Sequence, residues 1–262
     1  METHLDVSLN PRGVLRVVLN RPQRFNAFDE ALIAELTAAF ERAEADPAVR
    51  VLVLAAEGRH FCAGADIAWM QRAAALDAEA NAADAARFAA MLARLADCPK
   101  PTLASVQGLA LAGGVGLVCA CDIAVAEPGA QFGVSETLLG LLPAVIAPYL
   151  INAVGLRAAR MLGLSARRID AAEALRYGLI HEVSESLAAS ESAWVDQLLA
   201  GAPGAQGELK RLFAQWGPGP VSPERRALGA QTLARVRQGD EAREGLAAFL
   251  AKRRAAWNKE SK

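Results

Sequence analysis

The 262-residue sequence has next to no net charge, because 28 Lys and Arg residues stand against 29 Asp and Glu. A chain so balanced lacks the electrostatic footprint that binding to nucleic acid or to an anionic membrane requires. Cysteine is sparse as well. Cys62, Cys98, Cys119 and Cys121 include no C-x-x-C pair, and three of them lie in apolar or glycine-rich runs. That spacing argues against a metal site or a disulfide framework and for buried free thiols in a reducing compartment. Met1–Asn10 has no basic stretch followed by an apolar one, so no signal peptide is expected. The apolar run Leu109–Val118 is too short to span a bilayer. Internal repeats and low-complexity linkers are missing too. These absences together lead to the expectation of a cytoplasmic globular protein with no nucleic acid, membrane or metal among its partners.

What is present is core-forming material. Hydrophobic residues make up 53% of the chain, enough for a large core, and alanine, the best helix former, supplies much of that fraction. The length suits one α/β domain with an appendage, or two small domains. Leu5–Leu9 and Val14–Leu19 are β-prone runs separated by Asn10-Pro11-Arg12-Gly13, which predicts a hairpin. Asp29 is placed to cap a helix reaching about Ala45, with Leu32, Ile33, Leu36 and Phe40 at helical spacing. Val51–Ala55, Thr102–Val106 and Ile123–Ala126 read as strands. Arg87–Ala96 and the stretch from Gly113 to about Ala120 read as helices. This alternation predicts parallel strand–helix–strand units. Beyond Pro143 the strand signals fade. Helices are expected over Ala144–Val154, Ala158–Leu162, Ala171–Tyr177, Ser190–Leu199, Arg226–Arg237 and Ala242–Trp257.

Three segments carry candidate chemistry. The first, Gly58-Arg59-His60-Phe61-Cys62-Ala63-Gly64-Ala65-Asp66-Ile67, follows a strand and precedes a helix holding Trp69 and Met70. Small residues there let a ligand approach the backbone, and the free N–H groups of such a loop can face an anion. Close packing alone would also use small residues. The second, Gly108-Leu109-Ala110-Leu111-Ala112-Gly113-Gly114-Val115-Gly116-Leu117, opens a helix with adjacent glycines, leaving N–H donors unpaired and accessible. It has no G-x-G-x-x-G and no following Gly-Lys-Ser/Thr, so a nucleotide-phosphate site is poorly supported. The third, Gln131-Phe132-Gly133-Val134-Ser135-Glu136, puts a lone carboxylate at Glu136 ahead of the apolar stretch Leu138–Pro143. Such a residue is either a helix cap or an acid titrating in an apolar pocket.

In this order the three segments resemble the crotonase superfamily, the enoyl-CoA hydratase/isomerase family. The resemblance runs from about Val14 to Val183. It also takes in Leu19-Asn20-Arg21-Pro22 with Asn26-Ala27, Cys98-Pro99-Lys100-Pro101, Cys121-Asp122-Ile123 and Gly178-Leu179-Ile180. It implies a layered α/β core built as a ββα spiral over residues 1–190 and an all-helical C-terminal region over residues 191–262. That region would pack around neighbours in a homotrimer or a hexamer made of two trimers. It implies an acyl-CoA substrate, no further cofactor, and an oxyanion hole made by the backbone N–H groups of Ala63 and Gly113. The loop Ala63, Gly64, Ala65, Asp66 would run beside the CoA pantetheine, with Arg24 and Ala27 toward the nucleotide end. Hydratases of this family use two glutamates. The later matches Glu136, whereas the earlier would fall at Gly116, where this chain has no carboxylate. A narrower resemblance, carried by Gly64–Met70, Gly113–Val118 and Leu142–Tyr149, is to bacterial methylglutaconyl-CoA hydratase-like members, which share the Gly-Val-Gly-Leu run. The expected activity is hydration of a 2-enoyl-CoA. The alternatives are a Δ3,Δ2-enoyl-CoA isomerase using Glu136 alone and a non-catalytic acyl-CoA-binding scaffold. His4, His60 and His181 are expected to be structural.

Overall fold

A computed structural model describes residues 3–217 and 219–258. The chain begins with the predicted hairpin, β1 (Leu5–Leu9) and β2 (Val14–Leu19), paired antiparallel with Leu5 opposite Leu19. Asn10 closes it by accepting the N–H groups of Arg12 and Val14 on its side-chain oxygen at 3.0 and 3.1 Å. α1 (Glu30–Ala45) starts where Asp29 accepts the Leu32 N–H at 2.8 Å, the cap expected from the sequence. Then follow β3 (Val51–Ala56), α2 (Ile67–Ala74), α3 (Ala78–Ala96), β4 (Thr102–Val106), β5 (Leu109–Leu111), α4 (Gly113–Ala120), β6 (Ile123–Ala126) and β7 (Gln131–Gly133). The C-terminal part comprises α5 (Ala147–Ser165), β8 (Arg168–Asp170), α6 (Ala171–Tyr177), β9 (Glu182–Val183), α7 (Leu187–Ala200), α8 (Pro203–Trp216), α9 (Pro223–Arg237) and α10 (Asp240–Leu250).

Six strands form one sheet in the order β1-β2-β3-β4-β6-β9, parallel from β2 onward. β3 and β4 are buried along nearly their whole length because helices cover both faces, the usual state of a parallel strand. Alternation divides their side chains. Leu52 and Leu54 join Leu36, Phe40 and Leu92 in the larger core, while Val51 and Val53 join Leu103, Val195 and Leu199 in a smaller one beneath α7. A second sheet, β5-β7-β8, stands beside the first and feeds directly into α4. The architecture is the crotonase-like layered α/β core expected. Among the described residues no helix is long and apolar enough to cross a membrane.

Several boundaries differ from the sequence reading, each for a local reason. The helix expected from Arg87 starts at Ala78, because Asp77 caps it by accepting the Ala80 N–H, and its first turns are alanine-rich and mostly exposed. The helices expected over Ala144–Val154 and Ala158–Leu162 are one element, α5, which starts only at Ala147 and is kinked at Gly155, where φ is +75°. The helix expected to reach Trp257 stops at Leu250. Beyond it the chain turns back, and Trp257 donates its ring N–H to the Ala200 carbonyl at 3.0 Å. α8 and the short strands β5, β7, β8 and β9 were not anticipated. α7 runs through the expected boundary between residues 190 and 191, and its Val195 and Leu199 pack beneath the sheet.

Arg50, on the loop before β3, joins the helical tail to the sheet. Its guanidinium donates to the carbonyls of Leu199, Gly201 and Trp257 at 3.3, 2.9 and 2.9 Å. Arg50→Ala leaves these acceptors without their charged donor. It is expected to cost about 2 kcal/mol in a urea unfolding titration and to speed amide exchange in residues 251–258.

Candidate active site

Two backbone segments meet at the edge of the second sheet. Cys62 gives its N–H to the Leu109 carbonyl at 3.0 Å and takes the Leu111 N–H on its own carbonyl at 2.9 Å, so the first small-residue loop is stitched to β5. Glycines allow the approach. A Cβ on Gly114 would stand 2.5 Å from the Cys62 carbonyl oxygen, and one on Gly64 would meet Ala112 Cβ at 3.1 Å and the Leu111 carbonyl oxygen at 3.2 Å. Gly64 also has φ of +96°, which L side chains avoid. From the other side Phe28 donates to the Gly64 carbonyl and accepts the Asp66 N–H, both at 2.8 Å. That pairing passes over Ala65, whose N–H meets no acceptor among the described residues.

Beneath this loop lies a buried polar frame. Asn26, fully buried and in the left-handed region at φ +55°, donates to the carbonyls of Glu57 and His60 and accepts the Arg21 N–H. Arg21 pairs with Asp29 at 2.8 Å and Asp66 at 3.3 Å and donates to the Ala27 carbonyl at 2.9 Å. The second segment turns at Ala112, which adopts φ +49° and gives its N–H to the Gly133 carbonyl at 2.8 Å. α4 then starts at Gly113, whose N–H also meets no acceptor among the described residues. The unpaired donors at a helix start carry partial positive charge. A Cβ on Gly113 would collide with Phe28 and Phe88 at 2.9 and 3.0 Å.

Ala65, Gly113 and Glu136 line one cavity of about 410 Å³, whose other walls include Trp69, Met70, Phe88, Leu142 and Ile146. The expected donor at Ala63 is corrected here. Ala63 lines the same cavity, but its N–H is already given to the Phe25 carbonyl at 3.0 Å. A free N–H that lines the cavity lies two residues on, at Ala65.

Glu136 opens a short 3-10 turn, Glu136–Leu139, after Ser135, whose side chain makes no capping hydrogen bond. Of the two readings left open by sequence, cap or acid, the surroundings fit the acid. Burial pushes the carboxyl pKa up, against the smaller opposing pull of the N–H groups of Glu136 and Ser135. Its Oε2 is buried without a partner among the described residues. The position of the second family glutamate, Gly116, is buried on α4. A Cβ there would stand 2.5 Å from Ile146 Cγ2 and 3.4 Å from Leu92 Cδ1. An apolar wall therefore occupies the space of a second carboxylate.

The remaining candidates fall into supporting places. Asp66 spends its carboxylate on the Ala68 N–H and on Arg21, capping α2. Its pKa is held down: burial works upward, but the Ala68 and Trp69 N–H groups and the charges of Arg21 and Arg24 prevail. Arg24 is exposed on a 3-10 turn and Ala27 is buried beside Phe28, and neither lines the cavity. The histidines are structural. His60 and His181 accept the N–H groups of Leu109 and Ala124 on Nδ1, and His4 faces Glu35. The four cysteines are free, and burial raises the Cys62 and Cys119 thiols to about 12. Among the described residues no group of His, Cys, Asp and Glu has metal-binding geometry. A second cavity, of about 490 Å³, lies on the α7 side of the main sheet, but its Arg12 and Arg16 are already paired with Asp196 and Glu191.

Known proteins resemble this chain over nearly its whole length. A family model described as Enoyl-CoA hydratase/isomerase matches residues 10–260. A relative from Thermus thermophilus, assigned by name to the enoyl-CoA hydratases, is 36% identical over 94% of this chain and 98% of its own. The mevalonyl-coenzyme A hydratase of Beauveria bassiana is 32% identical over 98% of this chain and 95% of its own. Among solved structures, an enoyl-CoA hydratase from Shewanella pealeana superposes with a TM-score of 0.94 at 40% identity, covering 97% and 96% of the two chains. Pseudomonas aeruginosa AtuE superposes with a TM-score of 0.93 at 39% identity, covering 98% and 100%. Coverage near the full length of both partners makes the likeness one of whole chains rather than of one shared loop.

The packing at Gly116 is directly testable. Gly116→Ala is expected to destabilise the protein by about 1–3 kcal/mol through overpacking. In the Gly116→Ala/Ile146→Ala double variant the cost should fall below the sum of the single costs by about 1 kcal/mol, measured by chemical unfolding. Strict additivity would mean that the two positions do not compete for the same space.

Proposed function

The chain belongs to the enoyl-CoA hydratase/isomerase family of acyl-CoA enzymes, and on that premise we propose that it hydrates a 2-enoyl-CoA through a thioester enolate. The thioester carbonyl oxygen sits between the N–H groups of Ala65 and Gly113. As water adds to the β-carbon, negative charge develops on that oxygen. Fixed dipoles already in place stabilise the charge without reorganising, and one such donor is typically worth about 3 kcal/mol. Glu136 delivers its proton to the α-carbon, a role suited to a carboxyl held protonated by burial. The proton released by the adding water returns to the Glu136 carboxylate, so the acid is regenerated and H and OH are added across the double bond. The backbone of Ala63–Asp66 runs beside the pantetheine, and Arg24 and Ala27 lie toward the nucleotide end. CoA enters only as part of the substrate, and no further cofactor takes part. The observation that carries this reading is the meeting of two unpaired N–H groups and one half-buried carboxyl in a single apolar cavity.

The names of the relatives support hydration, and the mevalonyl-coenzyme A hydratase among them supports a short, branched acyl chain. The Gly116–Ile146 contact favours a second reading. With one carboxyl and an apolar wall opposite, Glu136 alone can carry a proton between two carbons, as in conversion of a 3-enoyl-CoA to a 2-enoyl-CoA. A non-catalytic scaffold has no use for an unpartnered buried carboxyl oxygen, which only destabilises the fold. The C-terminal helices leave Phe213, Leu246, Phe249 and Leu250 exposed, consistent with assembly as a trimer or a dimer of trimers in the cytoplasm.

Loss of enoyl absorbance on incubation with crotonyl-CoA is the expected result. Conversion of a 3-enoyl-CoA without hydration would replace this reading with the isomerase one. Glu136→Gln is expected to lower kcat at least a hundredfold while leaving CoA-ester binding intact. The hydration rate should fall as pH rises through the Glu136 pKa, above the ordinary glutamate value of about 4.3, and this limb should vanish in Glu136→Gln. Stability follows the same sign. A carboxyl with a raised folded-state pKa favours the fold only while protonated and weakens it as pH rises through that pKa. Glu136→Gln should therefore melt higher than wild type above that pH, as read by calorimetry. Light scattering is expected to give three or six times the mass of one chain.

A further inference from the structure

The far wall of the same cavity carries a second carboxylate that the proposed reaction does not use. Asp84 is the only buried residue in the first half of α3, from Ala78 to Arg87, a position where a helix covering a cavity ordinarily places an apolar side chain. It lines the cavity with Trp69, Met70, Ala73 and Ala85. Its Oδ1 accepts from Arg87 at 2.7 Å, but the Arg87 side chain is 60% exposed, so the pair is screened and repays little of the cost of burying the charge. Its Oδ2 has no hydrogen-bond partner among the described residues, and the residue lines the cavity.

The position along the helix sets the depth. Phe88, one turn further along α3, approaches Gly113, where its Cζ lies 3.0 Å from the place of a Cβ. Asp84 precedes Phe88 by four residues, so the two stand on the same face of α3 about 6 Å apart along its axis. An acyl chain whose thioester lies at Gly113 reaches Asp84 a few carbons beyond its double bond. Ala73 and Ala85, with short side chains on either side, leave room there.

We propose that Asp84 is a specificity-determining residue that selects enoyl-CoA substrates carrying a hydroxyl on the distal end of a short acyl chain. The hydroxyl donates to Oδ2 and completes the hydrogen bonding of a carboxylate that is otherwise only half satisfied. A plain hydrocarbon end leaves it unpaired in an apolar cavity, and a distal carboxylate is repelled by it. Sites built to hydrogen-bond a substrate hydroxyl reject analogues lacking it far more strongly than apolar pockets discriminate by size. This inference rests on the acyl-CoA reading above, and on the orientation that places the thioester between Ala65 and Gly113.

The test compares 5-hydroxypent-2-enoyl-CoA with pent-2-enoyl-CoA and with the analogue ending in a carboxylate, using the full-length protein. Wild type is expected to favour the hydroxylated ester in kcat/KM by at least about tenfold and to bind the carboxylated one worst. Asp84→Leu should erase or invert that preference while turning over pent-2-enoyl-CoA at least as well as wild type, and Asp84→Asn, which keeps an acceptor, should retain it. Calorimetric titration with the saturated esters pentanoyl-CoA and 5-hydroxypentanoyl-CoA reads the same preference without turnover. Preferential binding with no turnover of any ester would sink the hydratase reading and leave this inference standing. Turnover with no preference, an equal loss on both esters in Asp84→Leu, or a preference for the carboxylated ester would overturn this inference alone. If neither saturated ester binds, both fall.

Discussion

The site depends on a pair of backbone hydrogen bonds, those that hold Cys62 between Leu109 and Leu111. They fix a loop of the first layer against the strand that leads into α4, and they hold only because Gly64 and Gly114 carry no side chains where the chains touch. Everything polar at the reacting centre follows from this contact. The loop is held on its other side by Phe28, whose pairing passes over Ala65 and leaves its N–H without an acceptor among the described residues. The strand turns sharply at Ala112, and the N–H of Gly113 just beyond the turn is left without an acceptor among the described residues. Two donors are thus aimed by the main chain and the core rather than by rotatable side chains, so little reorganisation is required when charge appears between them.

The carboxyl beside them is built on the opposite principle. Glu136 is neither ion-paired nor fully hydrogen-bonded, and the protein bears the cost of burying it. A stability-optimised chain would place an apolar residue there. The neighbouring position Gly116 shows that the fold does so where it can, since Ile146 fills the space in which a second carboxylate would stand. Arg21 and Asn26 stiffen the frame below the loop through buried, well-partnered contacts. The unsatisfied groups of this neighbourhood, Glu136 and the Oδ2 of Asp84, face the cavity.

Much of this was legible in the amino-acid sequence. The hairpin, the buried strands β3, β4 and β6, and the helices α1 and α6 follow from alternation, capping and apolar runs that act locally. So did the site's location, because small residues after a strand and glycines opening a helix are requirements of close backbone approach. Glu136 stood out as a lone acid in an apolar stretch. The strands β5, β7, β8 and β9, of two or three residues each, exist through pairing with distant partners and have no period of their own to detect. α8 carries Leu209, Leu212, Phe213 and Trp216 at helical spacing behind Pro203, a signal that was there to be read. The free N–H beside the cavity is that of Ala65 rather than the expected Ala63, because main-chain composition does not reveal which N–H is taken by Phe25. Asp84 was invisible for a similar reason: a carboxylate in an alanine-rich exposed turn looks solvated until the cavity beside it is seen.

The central claim is that the Ala65 and Gly113 N–H groups polarise a thioester carbonyl. The most direct measurement is difference infrared spectroscopy of a carbonyl-labelled enoyl-CoA bound to the Glu136→Gln variant, which holds substrate without consuming it. The account predicts a carbonyl stretch shifted to lower frequency than in water, in the manner of a carbonyl receiving two strong hydrogen bonds. A stretch at or above its frequency in water would contradict it, because the carbonyl would then lie in the apolar cavity away from both donors.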